Sequence, residues 1–235
     1  MSVGIAFKAK SGLTTGCSRR CSAALRNAAE LNRYGLNMNR DEKEICNLLG
    51  LHDLSAESFS KEEKRRRKTP DFRVSHGREF RFFCEVKSID KDLWLDKRLD
   101  MSPSGVIVGE SRNDPIYNRL TDDIHTAVKQ FDAVNAELTY PNVLSWVNHD
   151  RHCGFLDLIA VLTGNALTDD GGALPIFQQF SEGRIRGEKA RIHLYIWLDE
   201  FKPKRLLFNQ AHQVHHQTLC NLFGVDPASI KQIRS

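Results

Sequence analysis

The sequence predicts an α/β fold, with a central mixed β-sheet flanked by helices, in a single domain spanning residues 1–235. Two observations predict it. Segments of strand character and segments of helical periodicity are interspersed along the chain, which is typical of a sheet covered by helices. The chain also has no internal repeat and no low-complexity linker, and 235 residues are enough for one substantial core.

The first half is predicted to contain two helices followed by a hairpin, at residues 18–34, 41–50, 71–74 and 80–88. Asp41 stands where the second helix begins, a position that favours a capping side chain. The two strands are joined around Gly77, because glycine permits the positive φ of a tight turn.

The second half is predicted to contribute a helix, a strand, a helix, a strand and a terminal helix, at residues 114–138, 142–149, 153–164, 191–200 and 206–223. Asp114 and Pro115 are typical of a helix start, and a continuous apolar stripe follows them. A short β-prone segment, Val106–Val108, lies in the long polar connection before that helix.

Composition favours a soluble, cytoplasmic protein, since 40% of the residues are hydrophobic, 27% are charged and no apolar run is long enough to cross a bilayer. Residues 1–12 are too poor in apolar side chains for a secretory signal. The six cysteines are therefore expected to be reduced. A zinc site is the alternative for Cys17, Cys21 and Cys153 with nearby histidines, but their spacing fits no common zinc pattern.

The positive charge is concentrated in the first part of the chain. Residues 1–100 hold 21 Lys and Arg against 15 Asp and Glu, whereas residues 101–235 hold 13 against 15. This excess suits a polyanionic partner such as nucleic acid, and the residues predicted to contact its backbone are Arg19, Arg20, Arg65, Arg66, Arg67 and Lys68. The alternative for the second run is an ordinary solvated face.

The most informative motif lies in the hairpin. Residues i and i+2 of a strand point to the same side, so Glu85 and Lys87 project together while Val86 faces the other way. An antiparallel neighbour brings Asp71 close to them. Two carboxylates and one ammonium group are therefore expected to converge on one point.

This convergence suits phosphodiester chemistry. Mg²⁺ prefers oxygen ligands and retains several waters, so Asp71 and Glu85 would hold Mg²⁺ or Mn²⁺, and the carbonyl of Val86 could be a further ligand. Lys87 could orient or deprotonate the attacking water and offset charge that builds on a phosphate.

The pattern Pro70-Asp71 followed by Glu85-Val86-Lys87 resembles the PD-(D/E)XK nuclease superfamily, and the likeness covers about residues 40–150. The resemblance implies a restriction-endonuclease-like core, metal binding by Asp71 and Glu85, and a water-directed role for Lys87. It also implies an acid on the preceding helix, for which Glu44 is the candidate and Glu30 and Glu42 are the alternatives. A site-facing Gln130 would lie on the following helix. Such a core has a strand before residue 71, but the chain offers only a weak candidate at residues 51–54.

The predicted function is a Mg²⁺-dependent nuclease that acts on DNA in the cytoplasm, without membrane association and with a homodimer as one possible state. Two other classes stay open: a nucleic-acid-binding or interaction module of the same fold that does not cleave, and a metal-dependent hydrolase of another substrate. The structural alternative for the motif is a salt bridge between Glu85 and Lys87 on a solvated strand face, with Asp71 in a turn.

Overall fold

The computed structural model describes residues 3–6, 38–91, 100–103, 113–168, 172–176, 185, 187–199 and 204–233. Its largest feature is an eight-stranded mixed sheet, and a separate two-stranded ribbon accompanies it. The strands of the large sheet are β1 (Val3–Ala6), β2 (Leu54–Ser58), β3 (Phe72–His76), β4 (Glu79–Ile89), β5 (Asn142–Asn148), β8 (Leu194–Asp199), β9 (Arg205–Asn209) and β10 (Lys231–Ile233). The ribbon pairs β6 (Asn165–Leu167) with β7 (Ala173–Pro175).

Five α-helices accompany these strands within the described ranges: α1 (Arg40–Gly50), α2 (Lys61–Arg66), α3 (Asn113–Asn135), α4 (Phe155–Thr163) and α5 (Gln213–Phe223). Two 3₁₀ turns, Glu188–Arg191 and Pro227–Ser229, precede β8 and β10. The start of α1 shows how local sequence fixes a boundary. Asn39 accepts the Glu42 N–H at 2.8 Å, and the Glu42 carboxylate accepts the Asn39 N–H at 2.9 Å, which forms a capping box.

The sheet order is β10-β1-β9-β8-β5-β4-β3-β2. Strands β2, β3 and β4 form an antiparallel meander, after which α3 crosses over to β5, which lies parallel to β4. Strand β8 continues the parallel part, and β9 returns antiparallel to β8. Six strands thus form the centre, and β1 and β10 extend it at one edge.

Alternation along the central strands divides the core into two layers. One layer holds Phe83, Leu144 and Trp146 together with the apolar faces of α3 and α4. The other holds Cys84, Val143 and Val147 together with α1 and α5. Because both faces of the sheet are covered by helices, the central strands are apolar on both sides. The predicted α/β class with a helix-flanked mixed sheet is therefore confirmed.

Most predicted elements are found close to their expected positions. The hairpin is formed by β3 and β4 around Gly77, whose φ is 63°. Helix α1 begins one residue earlier than predicted, with Asn39 rather than Asp41 as its cap, and α3 ends at Asn135 rather than at residue 138.

Two expectations about the sheet need correction. The terminal helix predicted for residues 206–223 is wrong in its first part, because residues 205–209 form β9 and the helix begins at Gln213. A strand does precede residue 71. It is β2, which begins at Leu54, the last residue of the weak candidate at 51–54, and ends at Ser58. The predicted helix at 18–34 and the segment Val106–Val108 lie outside the described residues.

Among the residues that the structure describes, no helix is both long enough and apolar enough to cross a membrane.

Candidate metal and phosphate site

The start of β3 and the second half of β4 are joined by reciprocal bonds at Asp71. Phe72 is paired with Cys84 in the antiparallel register, so the next position brings Asp71 opposite Glu85. The Asp71 N–H donates to Glu85 Oε2 at 3.1 Å, and Asp71 Oδ2 accepts the Val86 N–H at 2.8 Å. The acidic residue that immediately precedes β3 is thus fixed against β4, the strand that carries Glu85.

Lys87 completes the convergence that the strand periodicity predicts. Its ammonium group donates to Glu85 Oε1 at 2.7 Å and lies 3.5 Å from Gln130 Oε1 on α3. Gln130 is itself oriented because its Nε2 donates to the carbonyl of Thr69 at 3.0 Å. The helix that covers this face of the sheet therefore contacts both the ammonium group and the segment that leads into Asp71.

Glu85 has an environment unlike that of a solvated salt bridge, because the residue is only 2% exposed. Burial, followed by the charge of Asp71, raises the pKa of Glu85 to about 8, although Lys87 opposes this shift. Ionising both carboxyl groups in this desolvated space would leave one negative charge that the single ammonium group of Lys87 does not compensate. The interpretation of Glu85 and Lys87 as a pair on a solvated strand face does not fit this burial.

The acids on α1 differ in their surroundings. Glu44 forms an exposed pair with Arg40 at 3.4 Å. The pKa of Glu42 is raised, chiefly by burial, and the Asp71 carboxylate contributes to the increase. Glu42 is therefore the acid of this helix for which an interaction with Asp71 is found, while Glu30 lies outside the described residues.

Asp123 is a neighbour of the site that the sequence interpretation missed. Its carboxylate accepts the Trp146 Nε1–H at 3.0 Å, and its pKa is raised by burial, against opposing contributions from Trp146 and the charge of Lys87. Asp123 precedes Gln130 by two helical turns on α3, so the same helix face carries both. That spacing was the available signal.

The basic run beside the site falls into two groups. Arg66 is paired with Glu62, and Arg67 donates to the carbonyl of Ala133 at 3.0 Å. Arg65 and Lys68 are exposed, and neither has a hydrogen-bond or ion-pair partner among the described residues. Arg19 and Arg20 lie outside those residues.

The donor set suits a hard divalent cation. No group of three or more His, Cys, Asp or Glu side chains in the described ranges could hold a metal ion by itself. Mg²⁺, however, is commonly held by one or two carboxylates while waters and substrate phosphates supply the other ligands. Asp71 and Glu85 repel each other when both are ionised, so a cation held between the two carboxylates would relieve the repulsion.

Comparison with known proteins gives no independent assignment, since no family model, curated protein or solved structure matches the chain.

Proposed function

We propose that this protein is a Mg²⁺- or Mn²⁺-dependent nuclease that hydrolyses phosphodiester bonds in DNA. The observation that carries the proposal is the pair of hydrogen bonds that joins Asp71 to Glu85 and Val86, with Lys87 on the same buried Glu85 carboxylate. The order α1-β2-α2-β3-β4-α3-β5 supports it, because the resembled PD-(D/E)XK superfamily implies an acidic helix, a strand, the motif hairpin, a helix and another strand, and only the short helix α2 is additional.

The metal would be held by the carboxylates of Asp71 and Glu85, with the carbonyl of Val86 as a proposed further ligand. When bound, a divalent ion lowers the pKa of a water molecule and polarises a phosphate oxygen. The buried position of Glu85 limits competition from bulk water for its carboxylate.

Lys87 would act on the phosphate or on the attacking water. Its ammonium group is held between Glu85 and Gln130, so its direction is fixed before a substrate arrives. A preorganised cation stabilises charge that develops in a transition state without a cost of reorganisation. Gln130 serves as the positioning residue, because it contacts Lys87 and the Thr69 carbonyl together.

A nucleic-acid substrate is favoured because Arg65 and Lys68 lie on the segment that leads directly into Asp71, and DNA is chosen by analogy with the resembled superfamily. Such side chains neutralise backbone phosphates and position a strand without reading its sequence. A homodimer would allow two strands to be cut.

The test is cleavage of supercoiled plasmid with Mg²⁺ or Mn²⁺. We expect Asp71→Asn, Glu85→Gln and Lys87→Met each to lower the nicking rate about 100-fold or more, the scale found when one preorganised catalytic group is removed. Glu79→Gln is the matched control, since Glu79 lies on the same strand and its side chain is 68% exposed. Equal rates in the wild type and the Lys87→Met variant would contradict the proposal.

The outcome with wild-type protein separates the other classes. Binding of DNA with steep salt dependence but without cleavage would indicate the nucleic-acid-binding module. Neither binding nor cleavage would favour a metal-dependent hydrolase of a different substrate.

A further inference from the structure

A polar cavity lies at the opposite end of the β3–β4 hairpin from Asp71. It has a volume of about 590 Å³ and is lined by the turn after α1, the end of β3, the start of β4 and the end of α5. His76, which lines it, is five residues along β3 from Asp71, a separation of roughly 17 Å at about 3.3 Å per strand residue. The cavity is thus distinct from the proposed metal site.

Arg81 enters this cavity because of a β-bulge. The register changes from Val74 opposite Phe82 to Ser75 opposite Phe80, so Arg81 is the extra residue of β4. In an unbroken strand Arg81 would share the face of Phe83, which packs in the layer of α3 and α4. The bulge instead allows Arg81 to line the cavity beside Phe223 of α5, and re-aiming a side chain is a common role of such bulges.

The guanidinium group of Arg81 is only partly satisfied. Its Nη2 lies 2.6 Å from Glu79 Oε2, whereas Nε is buried and has no hydrogen-bond partner within the described ranges. Buried donors nearly always have a partner, so this one is an exception, and a rotation of the side chain, which is 28% exposed, would bring Nε to a ligand oxygen in the cavity. Carboxylates and phosphates match the planar fork of arginine best.

The rest of the lining indicates what else the ligand carries. His52 lines the cavity, and its Nε2 accepts a hydrogen bond at 3.0 Å from Lys204, which lies outside the lining; this places a positive charge behind His52. Asp53 lines the cavity as an exposed acid and suits a hydroxyl or amino donor. A ligand with an anionic oxygen group at one end and hydrogen-bond donors on its body complements both.

We infer that this cavity binds a small phosphate- or carboxylate-bearing molecule, with its anionic group on Arg81 and a hydroxyl or amino group on Asp53. The site goes beyond the proposed nuclease activity and does not depend on it. It would give the protein a small-molecule ligand at a position remote from the scissile phosphate.

The test is titration calorimetry of the full chain with inorganic phosphate, succinate and AMP, each in the presence of EDTA so that metal-mediated binding at Asp71 and Glu85 is removed. We expect saturable binding of a phosphate-bearing or a carboxylate-bearing probe, and the probe that binds identifies the anionic group. Arg81→Lys keeps the charge but loses the Nε donor, and should weaken binding about tenfold or more. Arg78→Lys, an exposed arginine in the turn of the same hairpin, is the control and should leave affinity unchanged.

Asp53→Asn provides a second variant that tolerates the local backbone. The φ of Asp53 is 58°, a left-handed conformation that Asn adopts readily, so folding should be preserved. We expect weaker binding of AMP and no loss of affinity for inorganic phosphate, which needs only the arginine. Absence of saturable binding for all three probes up to about 10 mM, which corresponds to a negligible affinity, would overturn the inference. So would unchanged affinity in the Arg81→Lys variant.

Discussion

At the scale of single residues, the Asp71 carboxylate contacts both residues of β4 that lie opposite it. Oδ2 accepts the Val86 N–H, and the carboxylate also interacts with the Glu85 carboxyl group. Asn at this position keeps an oxygen for Val86 but loses the negative charge. We therefore expect Asp71→Asn to fold normally without metal, and to be no less stable than the wild type, since the repulsion with Glu85 is removed.

The same variant should lose stabilisation by metal. A ligand at about 100 times its dissociation constant stabilises a folded protein by roughly 2.7 kcal/mol, so Mn²⁺ should raise the melting temperature of the wild type by several degrees. Differential scanning calorimetry with and without Mn²⁺ measures this directly. An equal Mn²⁺-induced shift in both proteins would show that Asp71 is not a ligand.

The two acids of α1 make a second residue-scale comparison. Glu42 interacts with Asp71, whereas the Glu44 carboxylate forms an exposed pair with Arg40 that contributes little to stability. We expect Glu42→Gln to lower the rate of plasmid nicking more than Glu44→Gln. Each variant is the control for the other because they change the same group on the same helix, and a larger effect of Glu44→Gln would restore the assignment made from the sequence.

At the scale of elements, α2 and the residues that follow it present cations of two kinds. Arg66 and Arg67 have partners within the protein, while Arg65 and Lys68 are exposed and have none in the described ranges. We expect the double variant Arg65→Gln/Lys68→Gln to bind DNA of any sequence more weakly. The slope of log K against log salt concentration should fall in magnitude by about 2, one for each lost phosphate contact. Fluorescence anisotropy at several salt concentrations measures this slope. Arg66→Gln is the control, and an equal or larger change there would place the DNA elsewhere.

The elements also show which parts of the fold can be read from sequence. Strand β4 was predicted almost to its ends because a turn and alternating apolar residues mark it. Strand β9 was mistaken for helix because Leu206, Leu207 and Phe208 are all buried, so no alternation distinguishes a central strand from a helix. Strand β2, LSAES, has no β-branched residue, and it forms because β3 offers a partner edge.

The candidate site was predictable to a similar degree and for related reasons. The period of a strand places Glu85 and Lys87 on one side, and the hairpin brings Asp71 opposite Glu85. The choice between Glu42 and Glu44 depends on how α1 rotates against the sheet, which packing decides. The spacing of Asp123 and Gln130 places both on one face of α3, but how closely Asp123 approaches Lys87 depends on how α3 crosses over to β5.

At the scale of the whole molecule, two buried groups give the stability of the metal-free protein opposite dependences on pH. Burial and Asp71 raise the pKa of Glu85 from 4.5 to about 8. The folded state therefore holds a proton that the unfolded state releases. The contribution of Glu85 to the free energy of unfolding is complete below pH 4.5 and is lost as pH rises towards 8. Burial, followed by the charges of His215 and His212, lowers the pKa of His193 from 6.5 to about 3.

The sign for His193 is the reverse. Its Nδ1 accepts the Asn142 N–H at 2.9 Å, and its Nε2 is buried, so the folded state resists protonation of the ring. The contribution of His193 to the free energy of unfolding is complete above pH 6.5 and is lost as pH falls towards 3. The two slopes oppose each other between pH 4.5 and 6.5, and each amounts to about 1.4 kcal/mol per pH unit.

We therefore expect the free energy of unfolding, measured by urea denaturation in EDTA, to have a broad maximum between pH 4.5 and 6.5 and to fall on both sides. His193→Asn, which keeps an acceptor for the Asn142 N–H, should flatten the acid side, and Glu85→Gln should flatten the alkaline side. Saturating Mg²⁺ should restore stability above pH 6.5 in the wild type, because a cation favours the ionised carboxylate that burial opposes. Stability that rises steadily from pH 5 to 8 in the metal-free wild type would show that Glu85 is not held in the uncompensated state on which the proposed metal site depends.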